Sequence, residues 1–134
     1  MKIDIPSGTI SFAAGTVERK ADRTSFLSTV VGRDAKAGLV NEDWRHYSIR
    51  PEPGVAVNLI FKGNFLHQVW ILMAIPSDET DEWTTESELR RKSLHDSWLL
   101  AEFGEPPYER NWGRITSEFD AKGCVSEIIV TYAD

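Results

Sequence analysis

The chain has 134 residues, 41% of them apolar, and a net charge of −6. That length suits one ordinary domain, able to bury a core without staples. The acidic balance argues against nucleic acid as a main partner, since phosphate binding needs a basic face, and the lone Cys124 excludes an intrachain disulfide.

No apolar run reaches the roughly 20 residues of a membrane helix, and MKIDIPSGTISF contains no apolar signal core. The expectation is a cytoplasmic protein that does not engage membranes.

In chain order, residues 2–5 and 9–13 read as short strands joined by a Pro6-Ser7-Gly8 turn. A helix is expected from Asp22 or Thr24 to Val31, with Phe26, Leu27, Val30 and Val31 as its apolar positions and Gly32 as its left-handed stop. Residues 33–43 carry mixed charge without periodicity and read as loop.

Trp44 to Ile49 alternates as a strand and is broken by Pro51, Pro53 and Gly54. Val55 to Lys62 and Leu66 to Ile75 then form the clearest hairpin, around Gly63-Asn64. Residues 77–83 read as acidic loop. A second helix runs from about Thr85 to Phe103, opened by the capping box Thr85-Glu86-Ser87-Glu88. Its expected stripe is Leu89, Leu94, Trp98, Leu99 and Phe103, and Gly104 with Pro106-Pro107 ends it. Ile115 to Phe119 and Val125 to Tyr132 make the last hairpin, turned by Asp120 to Gly123.

The fold class is therefore α+β: an antiparallel sheet with two helices packed on one face. Residues 1–134 form one domain. The halves, about 9–75 and 76–134, each read as helix, glycine stop, tryptophan strand and hairpin, which suggests a duplicated unit; chance similarity of two short junctions is the alternative.

In the second half, Gly104, Pro106, Trp112 and Gly123 punctuate a helix, a tryptophan strand and a hairpin. In this the chain resembles the small bacterial α+β unit of β-lactamase-inhibitor-like proteins and of outer-membrane assembly lipoproteins. The resemblance covers about the last 50 residues well and the first half loosely, and it implies a fold of this kind. The chain departs from those proteins in lacking disulfides and an N-terminal lipid-bearing cysteine.

The phosphate-loop, zincin, C-x-x-C and nucleophile-elbow motifs are all absent, and nothing calls for a cofactor. His95-Asp96 with Cys124 is the most tempting catalytic set. Adjacent helix residues do not face each other, however, so a surface histidine and a small edge residue is the plainer reading. His46, His67 and His95 lack metal-ligand spacing. The acids of 78–88 lack the central glycine of a calcium loop and read as complements to the helix dipole, with Arg90, Arg91 and Lys92 able to pair back to Glu86 and Glu88.

Trp70 is more informative. Val69, Ile71 and Met73 give their strand one apolar face, while Trp70, Leu72 and Ala74 give it another. A sheet covered on one side needs only one. Trp44, Trp83 or a loop of the chain could cover the second; otherwise a protein partner or a second copy does, anchored on Trp70, Leu72 and Trp83. The preferred reading is a non-enzymatic protein-binding module, inhibitor- or immunity-like or self-associating. The alternative is a small enzyme with a pocket between sheet and helices, using His95, His67 or a buried acid.

Overall fold

The computed structural model describes residues 1–75 and 84–133. They form β1 (Lys2–Ile3), β2 (Ile10–Phe12), β3 (Gly15–Val17), α1 (Arg23–Leu27), β4 (Lys36–Asn41), β5 (Trp44–Glu52), β6 (Val55–Lys62), β7 (Phe65–Met73), α2 (Thr85–Phe103), β8 (Tyr108–Arg110), β9 (Gly113–Asp120) and β10 (Val125–Tyr132). The class is α+β, weighted towards sheet. A seven-stranded sheet runs in the order β4-β5-β6-β7-β10-β9-β8, beside a three-stranded sheet β1-β2-β3. Every pairing is antiparallel. The two expected hairpins join through β7 and β10, with Ile71 opposite Ile128 and Trp70 opposite Ile129.

Alternation along the strands gives the large sheet a core face. Val57, Leu59 and Phe61 on β6, Val69 and Ile71 on β7, and Ile128, Val130 and Tyr132 on β10 are all buried. Each such side chain is worth ~1.5–3 kcal/mol when fully buried. Leu99 of α2, Phe26 of α1, and Ile3, Ile10, Phe12 and Val17 of the small sheet belong to the same core. The Phe26 ring lies 6.0 Å from that of Phe61. Both helices thus serve the core face.

Trp112 ties the small sheet down. Its indole N–H donates to the Ile5 carbonyl at 2.7 Å, and the Tyr132 hydroxyl donates to the Gly8 carbonyl at 2.8 Å. Gly8 is required there: its φ is +75, and a Cβ would sit 2.6 Å from the Trp112 ring.

Several local expectations need correction. α1 is a helix of only five residues, capped by Asp22, which accepts from the Ser25 amide at 2.9 Å. Gly32 is not its left-handed stop. It permits close packing, since a Cβ would lie 2.1 Å from the Phe26 carbonyl oxygen. The stretch read as loop contains β4, an edge strand exposed throughout, which pairs with β5 through its backbone and so needs no side-chain periodicity. The three-residue strands β3 and β8 were too short to show a pattern. β5 continues through Pro51 to Glu52 across a register irregularity, where a proline is tolerated.

The largest correction concerns α2. Its N-cap is Thr84, one residue earlier than the sequence suggested, with Ser87 completing the capping box. The buried positions include Glu88, His95 and Leu99, whereas Leu89 is 48% exposed. Polar groups therefore dock this helix. Arg91 Nε donates to both Glu88 carboxylate oxygens at 3.1 Å, and the Ser126 amide donates to Glu88 Oε1 at 2.9 Å. The Met73 amide donates to His95 Nε2 at 3.1 Å, and Arg91 donates to the Met73 carbonyl. Among the described residues, no helix is long and apolar enough to cross a membrane.

Candidate functional site

The other face of the large sheet, here the open face, carries the residues of opposite parity. From β5 come Trp44 and His46, from β6 Ala56, Asn58 and Ile60, from β7 Trp70 and Leu72, and from β10 Glu127 and Ile129. Among the described residues, no helix or other sheet lies over this face.

Its aromatic groups are ordered by one another. The His46 ring meets Trp70 edge-on at 5.9 Å, and Trp44 meets His67 at 5.2 Å. Trp70 Nε1 donates to Gln68 Oε1 at 3.0 Å, and Gln68 Nε2 donates to Thr131 Oγ1 at 3.1 Å. The Trp70 indole is thereby held half-buried within the sheet surface. A groove of about 520 Å³ adjoins Leu72, bounded by Ala56 and Asn58 and by the charged Lys36 and Arg50.

Of the three anchors expected from the sequence, Trp70 and Leu72 lie on this face, and Trp83 lies outside the described residues. So do Asp78, Glu79, Asp81 and Glu82. Trp44 lies opposite Lys62 and meets His67, and the β5 ring that meets Trp70 is that of His46. Sequence reasoning missed His46, Ile129 and Glu127 as neighbours of Trp70. Only the β7–β10 and β5–β6–β7 registers bring them there, and no local pattern encodes those pairings.

The acids at the β9–β10 end form a distinct corner. Glu127 stands directly opposite Glu118, and Asp120 lies opposite Val125. Burial, then Asp120, Glu118 and Glu88, raise the Glu127 carboxyl from 4.5 to about 7. Every charge contributing to that shift is negative.

The catalytic candidates separate. His95 is fully buried on the core side, with Nε2 occupied by the Met73 amide. Burial and nearby Arg91 push it down to about 4, so it is neutral at physiological pH. Asp96 is exposed and paired with Lys92 at 2.9 Å. Cys124 sits with its sulfur 3.5 Å from Thr85 Oγ1, at the start of the helix, whereas His95 lies ten residues further on, roughly 15 Å along the axis. A groove of about 570 Å³ does lie between α2 and the β8–β9 edge, lined in part by Lys92, Asp96, Leu99, Tyr108 and Ser117. Neither His95 nor His67 lines it. Among the described residues, no three histidine, cysteine or acidic side chains are grouped to hold a metal.

The fold and this face define a protein class: an α+β domain whose large antiparallel sheet is packed on one side and open on the other. No protein-family model matches the chain, and no curated protein matches it significantly. Among solved structures, it is similar to a chain of the complex of Rhs1-CT with its cognate immunity protein RhsI1, with a TM-score of 0.59. The match covers 97% of this chain and 85% of that one at 13% identity. It is a likeness of fold.

Proposed function

We propose that the protein is a non-enzymatic binding module of the inhibitor or immunity kind, acting in the cytoplasm, and that it meets its protein partner through the open face around Trp70 and Leu72. One observation carries the reading. The open face has a half-buried apolar centre (Trp70, Leu72, Ile129) and a charged rim that includes Arg50 and Glu118, the arrangement interfaces favour. The likeness to a chain from a toxin–immunity complex supports it at the level of fold. The net charge of −6 suits a basic partner.

The test is co-expression with the polypeptides encoded on either side of its gene. A toxic neighbour should be neutralised by the wild-type chain and not by a folded Trp70→Ala/Leu72→Ser variant. Neutralisation that persists in the variant would remove this surface from the reading. A neighbour that is bound and chemically altered would favour the enzyme alternative.

A further inference from the structure

The acidic corner of the open face has a feature that solvation alone does not explain. Glu118 and Glu127 stand directly opposite each other in an antiparallel pair, a placement in which like charges repel and destabilise the sheet. Glu127 is half-buried beside the apolar centre, two positions along β10 from Ile129, which is itself opposite Trp70. Among the described residues no ion pair offsets these acids. The ion pairs there are Met1–Glu52, Arg91–Glu88 and Lys92–Asp96, and none involves Glu118, Asp120 or Glu127.

We infer that this corner receives a lysine or arginine side chain of a protein partner, held between Glu118 and Glu127 while the partner's apolar surface packs on Trp70 and Leu72. The inference rests on the docking face proposed above and supplies the chemistry of its occupant. Charge selects that occupant: a cation offsets both carboxylates, whereas an anionic ligand adds to their repulsion. A metal ion is a poor fit, since no three suitable ligands are grouped among the described residues. A cation fits on energetic grounds too. Once a partner excludes water from the apolar centre, a carboxylate–cation hydrogen bond beside it strengthens. Burial and the neighbouring carboxylates also leave Glu127 holding a proton near neutrality, and an arriving cation displaces it to the solvent.

The test uses the full chain and a random-peptide display library as probe. Peptides enriched on the wild type are measured by calorimetry against Glu118→Gln/Glu127→Gln, Trp70→Ala and the milder Leu72→Ser, each checked for folding by circular dichroism. The expected result is peptides with Lys or Arg next to an apolar residue, whose affinity falls about tenfold or more in the double glutamine variant. The same affinity should weaken with salt in the wild type and much less in that variant. Peptides that need Trp70 or Leu72 but bind the glutamine variant as tightly would overturn the cation inference and leave the docking face standing. Peptides indifferent to Trp70 and Leu72 would overturn both. A wild-type dimer in sedimentation that Leu72→Ser dissolves would make a second copy the occupant and overturn the inference.

Discussion

Glu127→Gln should stabilise the protein, and only where the carboxyl would otherwise ionise. In the folded chain this group is raised from 4.5 to about 7 by burial and by Asp120, Glu118 and Glu88. The folded state therefore holds the proton more tightly than the unfolded one. Stability from this group is fully present below 4.5 and is lost as pH rises through about 7. Complete linkage would set the loss at about 3.4 kcal/mol. Glu127 keeps part of its surface in water, so screening reduces this to about 1–2 kcal/mol. Glutamine is close in shape to the protonated acid. The variant should gain about 1–2 kcal/mol at pH 8, or about 4–7 °C in Tm, and close to nothing at pH 4. Urea unfolding followed by tryptophan fluorescence at the two pH values measures the difference. An equal gain at both, or a loss at pH 8, would refute the electrostatic account.

Other outcomes follow from the packing. His95 runs the opposite way: its folded value is lowered from 6.5 to about 4, so the unfolded chain takes the proton first. Wild-type stability should then fall by up to about 3 kcal/mol as pH drops through that window, and a His95→Gln variant should flatten the decline in acid unfolding curves. Glu88→Leu removes the carboxylate that accepts from Arg91 and from the Ser126 amide, and should cost about 1–3 kcal/mol in urea melts; a neutral result would mean that the latch contributes no net stability. Ile71→Ala should cost about 2–5 kcal/mol, because that side chain is fully buried. Trp70→Ala, one residue away on the open face, should cost about 1–2 kcal/mol for one hydrogen bond and one ring contact. If the two melt alike, the face is core and the docking proposal falls.

The hairpins of 55–73 and 113–132 were legible in the sequence because strict alternation and turn residues act locally. α2 was legible in extent and over its last turns, where Trp98, Leu99 and Phe103 pack on the core, but not over its first turns. Its apolar residues suggested a face through Leu89 and Leu94, yet the chain turns Glu88, Arg91 and His95 towards the sheet. The reason lies in the partners. The Ser126 amide and the Met73 backbone groups supply hydrogen bonds that make a polar stripe worth burying, and those partners are 38 and 22 residues distant. Burial of polar groups is decided by such satisfaction, which hydropathy does not record. The same limit applied to the site. The two-sided apolar pattern of β7 pointed to Trp70 and Leu72, but the Glu118–Glu127 pair needed the β9–β10 register before its repulsion meant anything.

Position in the sheet explains how such a face remains tolerable in water. β7 is the central strand, with three neighbours on each side in the order β4-β5-β6-β7-β10-β9-β8. Trp70 is flanked across the sheet by Asn58 and Ile129 and touched by His46, so much of its indole is dry without any second layer. On the proposed docking face Glu127 would act as a gatekeeper. Its carboxyl beside the apolar centre would penalise any apolar surface that arrives without a polar or cationic partner for it, because covering it would leave a buried polar group unsatisfied. A partner that brings both apolar contact and a cation escapes that penalty. Discrimination would therefore come less from the attraction of Trp70 and Leu72 than from what Glu127 rejects. On that basis, Glu127→Gln should broaden the set of apolar surfaces the face accepts even as it weakens the basic ones.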